Sequence, residues 1–126
     1  MRLLLDTHVL LWWLANDASL SPAAGALIRN PENVIFVSAV SVWEIWLKES
    51  LGKLRLPDAF EEKLAAQAFE SLTLTASQTR HVALLPWHHR DPFDRMLVAQ
   101  AITEKLVLLT ADTILAAYGD CVHLAR

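Results

Sequence analysis

The chain has 126 residues, of which 54% are hydrophobic and 20% charged, with three glycines, five prolines and one cysteine. That composition excludes a disordered or low-complexity chain, and the lone Cys121 excludes both an intrachain disulfide and a cysteine-based zinc site. Fourteen Asp and Glu against eleven Lys and Arg give a net charge of −3, which argues against a bulk electrostatic nucleic-acid binder but not against an enzyme that works through local cations and a metal.

Short apolar runs rich in Leu, Val and Ile alternate with longer segments of helical period. This pattern predicts one α/β domain over residues 1–126, with a five-stranded parallel sheet between helices in three layers. The expected strands are Arg2 to Leu5, Val34 to Ser38, Leu72 to Leu74, Leu106 to Leu109 and Cys121 to Leu124. The first apolar run is interrupted by Asp6 and His8 and has no small-residue cleavage site, so it does not read as a signal peptide. No apolar stretch reaches the ~18 residues of a membrane span, and a cytoplasmic, soluble domain is expected.

Helix boundaries are marked along the chain. Ser21 and Pro22 read as N-cap and first helical residue, Asp58 with Glu61 as a capping box before Lys63 to Phe69, and Thr75 with Gln78 as another. Gly52 and Gly119 fall where helices should stop.

The chemistry lies in the carboxylates. Asp6 ends the first strand and Asp112 the fourth, and each reads either as the N-cap of the next helix or as a ligand at the carboxyl end of a parallel strand. Asp91, Pro92 and Asp94 read as N-cap, first and third residues of a helix, a placement that the helix dipole alone would favour. Glu44 is different, because it sits mid-helix with Val40, Leu47 and Leu51 at helical spacing, and an unpaired carboxylate in an apolar stripe is costly. An i,i+4 pair with Lys48 is the simplest alternative. If the first, second and fourth strands are central neighbours, these groups converge on one sheet edge, and mutually repelling carboxylates there call for Mg²⁺ or Mn²⁺ rather than Zn²⁺.

The segments LLLDTHVLLW, SAVSVWEIWLK, HRDPFDRMLVAQA and LLTAD resemble, in order and over essentially the whole chain, the four acidic motifs of the PIN domain, in particular the VapC-like toxins of bacterial type II toxin–antitoxin systems. The resemblance implies a Mg²⁺-dependent ribonuclease that cleaves RNA phosphodiester bonds with metal-activated water. It assigns catalysis and metal binding to Asp6, Glu44, Asp94 and Asp112, with Asp91 in support. It also implies an antitoxin partner and a homodimer.

Thr110 and Ser41 are read as hydrogen-bonding to carboxylates or water at this site, or else as ordinary strand-end and helix-start hydroxyls. Lys48, Arg90 and Arg95 lie within about a turn of a proposed ligand and are candidate phosphate contacts. For His88 and His89, beside a Pro-Trp turn, a structural role is expected over proton shuttling or RNA contact. Among five tryptophans, Trp12 and Trp13 cannot share one core, whereas Trp43 and Trp46 can share a face, and part of this aromatic area is expected at an interface.

Two alternatives stay beside this reading. One is a PIN-like module that acts only through a partner surface. The other is a phosphoacceptor receiver domain, which lacks support because Asp6 has no acidic neighbour and no lysine follows Lys105. A haloacid-dehalogenase-like phosphatase would need a second acid two positions after Asp6, where His8 stands.

Overall fold

In the computed structural model, which describes residues 1–126, β1 (Arg2–Leu5) is the middle strand of a five-stranded, wholly parallel sheet. The chain continues through α1 (Thr7–Ala15) and α2 (Pro22–Arg29) to β2 (Val34–Ser38), then α3 (Ala39–Ser50), α4 (Phe60–Ala65) and β3 (Glu70–Leu72). It crosses back through α5 (Ala76–Leu84) and α6 (Pro92–Glu104) to β4 (Val107–Thr110), a 3₁₀ segment (Thr113–Tyr118) and β5 (Val122–Leu124). Strand order is β3-β2-β1-β4-β5, so the direction of winding reverses between β1 and β4. That switch point, at the carboxyl ends of the strands, is where open α/β sheets form clefts.

The apolar run of β1 is explained by burial on both faces, as parallel strands require. Leu3 and Leu5 face a core that includes Val9, Leu10, Ile28, Ile35 and Ile45. Leu4 points the other way, into a second core with Leu97, Val98, Leu108 and Leu115. No helix is long and apolar enough to cross a membrane.

Ser21 caps α2 with Pro22 in its first turn, and Thr75 with Gln78 forms the expected capping box on α5. Two expectations fail at the sheet's edge. Strand β3 ends at Leu72 rather than starting there, because its partner β2 ends at Ser38, opposite Leu72, and turns into α3. Beyond that register Thr73 and Leu74 have no strand to pair with. Helix α4 begins at Phe60 instead of Lys63 and ends at Ala65, with no side-chain cap from Asp58. Its start is set by the buried ring of Phe60, packed edge-on against Trp46 at 5.6 Å, and packing here overrides the local capping signal.

A buried amide network ties the crossover to the start of α3. The Ser38 hydroxyl donates to Gln100 Oε1 at 2.6 Å, while Gln100 Nε2 donates to Gln78 Oε1 at 3.1 Å and to Thr73 O at 3.3 Å. Ser38 Oγ also accepts from Val40 N, so this network sets the entry of the helix that carries Glu44. Gln100→Leu is expected to cost about 1 kcal/mol or more, since it leaves the buried Ser38 hydroxyl without its acceptor. A urea melt measures this; an unchanged midpoint would refute the network's contribution.

Candidate active site

At the carboxyl edge of the sheet, Asp6 follows β1 and is almost wholly buried. One of its oxygens accepts from Val9 N at 2.8 Å, capping α1, and the other accepts from the Thr110 hydroxyl at the end of β4. Thr110 Oγ1 in turn accepts from Asp112 N at 3.1 Å, so a single hydroxyl joins the two strand-end acids. Asp112 divides its oxygens in the same way: Oδ1 caps the 3₁₀ segment at Ile114 N, and Oδ2 faces Nε2 of His89 at 2.8 Å.

Asp91 caps α6, accepting from Phe93 N and Asp94 N through Oδ1. This leaves Asp94, in the first turn, with its carboxylate free to face Asp6 and Asp112 across an open cleft of about 300 Å³ lined also by His8 and Trp12. Glu44 reaches the same region from α3. It is buried, accepts from the Thr7 hydroxyl at 2.7 Å and pairs with Lys48. Its expected apolar stripe does not exist: Val40 is buried, but Leu47 and Leu51 are 37% and 58% exposed, and the face that holds Glu44 carries Ser41 and Lys48 instead.

The electrostatics follow from this crowding. Burial pushes the Asp6 carboxyl above its usual range, against the opposing hydrogen bond from Thr110. Asp94 is pushed up to about 7, first by burial and then by the charges of Asp91, Asp6 and Glu44. The Lys48 ammonium is held above its usual value mainly by its hydrogen bond to Glu44, and it also feels Asp91 and Asp94. One lysine against this many acids leaves the cleft negative.

The residues fit a hard divalent cation. The donor set is rich in carboxylate oxygen, as Mg²⁺ and Mn²⁺ prefer. Ser41 Oγ, fully buried on the Glu44 face of α3, has no hydrogen-bond partner.

His89 is the residue that sequence reasoning undervalued. Its Nε2 lies 3.5 Å from Asp94 and 2.8 Å from Asp112, and the three side chains offer ligand atoms within 4.8 Å of one another. Its Nδ1, however, accepts from Asp91 N at 3.0 Å, so the ring hydrogen sits on Nε2 and is donated to Asp112. A histidine that binds metal through Nε2 needs the opposite arrangement. In this tautomer His89 orients Asp112.

Thr7 was also missed; its only sequence signal was a hydroxyl next to Asp6 at a strand end. Arg95 is corrected outright. It is buried, and its guanidinium donates to Pro86 O at 2.8 Å, Val82 O at 2.9 Å and Tyr118 Oη at 3.1 Å, so both terminal nitrogens are spent inside the fold. Arg90, in contrast, is exposed.

Trp43 and Trp46 do share a face. They line an apolar cleft of about 660 Å³ with Leu64, Phe69 and Leu72 beside the β3 edge. Trp13 packs elsewhere, donating to Gln67 at 3.1 Å, while Trp12 borders the acidic cleft.

A parallel sheet with an oxygen-rich acidic cleft at its switch point defines an α/β domain of the open-sheet class. The PIN domain family model matches residues 3–120, and the chain belongs to that family. It is 33% identical over 112 residues to Ribonuclease VapC22 of Mycobacterium tuberculosis, an alignment covering 86% of this chain and 85% of that protein. Among solved structures, it resembles VapBC2 from Rickettsia felis, bound to a DNA fragment from their promoter, with a TM-score of 0.67 and 17% identity over 98% of this chain and 97% of that one. It also resembles a toxin–antitoxin complex from Klebsiella pneumoniae, with a TM-score of 0.66 and 18% identity over the same shares of the two chains. At these identities the structural likeness speaks for the fold.

Proposed function

We propose that this chain is a VapC-like ribonuclease, the toxin of a toxin–antitoxin pair, with Asp6, Glu44, Asp94 and Asp112 as its catalytic and metal-binding acids. The observation that carries the reading is the meeting of Asp6, Asp94 and Asp112 at one cleft, with the buried Glu44 close enough for its charge to act on Asp6 and Asp94, and with Asp6 and Asp94 pushed above their usual range. A bound Mg²⁺, or Mn²⁺ in its place, would offset that repulsion and supply the activation of water against a phosphodiester.

The chain's own residues supply the preorganisation. Thr110 and Val9 N hold Asp6, Thr7 holds Glu44, and Ile114 N and His89 hold Asp112, so each acid meets the cleft in one orientation. Asp91 fixes the first turn of α6 and thereby the position of Asp94. In this reading the exposed Arg90, and Lys48 beside its pair with Glu44, are the cations that would meet phosphate.

The proposal extends to partners. The exposed indoles of Trp43 and Trp46 present the kind of apolar area that a cognate antitoxin or a second copy of the chain would cover. A cytoplasmic location is part of the same reading.

Asp6→Asn should cut cleavage of RNA by about a hundredfold or more, the scale of losing a preorganised charge in an active site, and should relieve growth arrest on expression. RNA binding by the unaltered chain should depend on divalent metal at least as strongly as on ionic strength. Full activity in an Asp6→Asn, Asp94→Asn double variant would refute the assignment.

A further inference from the structure

The loop between α5 and α6 turns its side chains in two directions. His89 points inward to Asp112, whereas Trp87, His88 and Arg90 are exposed. Trp87 is the most exposed of the large hydrophobic residues, at 74%, yet its orientation is fixed. The buried guanidinium of Arg95 lies against one face of the indole, 3.7 Å from the ring centroid. The peptide just before it is pinned as well, since Pro86 O accepts from both Arg95 and the Tyr118 hydroxyl at 2.8 Å. The result is an aromatic ring with one face backed by a cation and the other open to solvent, already ordered before anything binds.

Position and charge indicate what it meets. Trp87 is two residues from His89, and two residues of chain span at most about 7 Å, so the backbone that carries the ring adjoins the segment that reaches Asp112. Although the whole chain is acidic, residues 71–90 contain no Asp or Glu and carry Arg80, Arg90 and three histidines. A flat aromatic face on a segment whose only formal charges are two arginines is a combination that holds single-stranded nucleic acid, because every base offers a π-face and every linkage a phosphate.

We propose that Trp87 is a stacking platform for an unpaired RNA base outside the cleft, on the strand that the cleft holds, with Arg90 on an adjoining phosphate. This rests on the ribonuclease reading above, but it concerns how the substrate is held rather than how it is cut. The test uses the full chain with Mg²⁺, a single-stranded oligoribonucleotide that it cleaves, and the same oligonucleotide carrying one abasic residue at successive positions. Trp87→Ala should raise KM about tenfold with little change in kcat, and Trp87→Phe should recover most of the loss. For the unaltered chain one abasic position should cost about as much as Trp87→Ala, and in that variant the same position should cost nothing further. A KM within about twofold of the unaltered value, or an unchanged abasic profile, overturns the proposal. So does a variant that keeps RNA affinity but loses a co-purifying antitoxin, which would make the loop a protein contact. If the chain cleaves no RNA, the ribonuclease reading fails by itself, and anisotropy of the labelled oligonucleotides still reads the stacking.

Discussion

Asp94→Asn is expected to abolish ribonuclease activity and, in the presence of a chelator at pH 8, to raise the melting temperature. The two effects share one cause. Asp94 is driven up to about 7 in the folded chain against 3.8 in the unfolded one, so folding above pH 7 forces a poorly accommodated charge into the cleft. A raised carboxyl pKa favours the native state most below the unfolded value, and that contribution is lost as pH climbs through the folded value. The stabilisation by Asn should therefore be largest at pH 8 and shrink steadily toward pH 4, where the aspartic acid is itself neutral. Saturating Mg²⁺ should reverse the ranking, since the carboxylate then gains a cation that the amide cannot hold as well. Thermal melts of both proteins at several pH values, with and without metal, give the answer. A pH-independent difference would show that Asp94 is not strained by its neighbours.

The same crowding explains how much of the site was legible beforehand. For Asp6, Asp91 and Asp112 the sequence posed a choice between capping a helix and lining a site. The structure removes the choice for Asp6 and Asp112: one carboxylate oxygen caps and the other turns to the cleft or its supporting shell. Convergence was legible because it needs only β1, β2 and β4 at the centre of the sheet, and apolar runs such as Leu3-Leu4-Leu5 announce strands buried on both sides. The contacts that orient the acids were not. Thr7 meets Glu44 across 37 residues of sequence, and His89 meets Asp112 across 23, distances over which no local pattern speaks. The failures at α4 and β3 have the same origin, since one is set by the packing of Phe60 and the other by where β2 ends. Arg95 was misplaced for a simpler reason. It follows Asp94 by one residue, and consecutive residues on a helix point about 100° apart, so closeness along the chain put it on the wrong side of α6.

That wrong side makes Arg95 the residue whose loss should damage the protein most. It forms no ion pair. Its charge is met by the carbonyls of Val82, Leu85 and Pro86, at the end of α5 where the helix dipole is negative. Arg95→Met should cost about 2 kcal/mol or more, because hydrogen bonds to a charged group are the strong ones. Arg95→Lys should recover only part of this, since an ammonium cannot reproduce the planar fork that reaches three carbonyls and Tyr118 together. The damage should extend to the site. The Tyr118 hydroxyl accepts from Arg95 Nη1 at 3.1 Å and from His89 N at 3.3 Å, so losing Arg95 loosens the segment that aims His89 at Asp112. Tyr118→Phe separates the two consequences: it removes this link while leaving the guanidinium on its carbonyls. It should keep the fold intact yet weaken Mn²⁺ binding or activity by roughly tenfold, as loss of an outer hydrogen-bonding partner typically does. If Tyr118→Phe binds metal and cleaves RNA as the unaltered chain does, the Arg95 cluster supports only the fold, and His89 reaches Asp112 without its help.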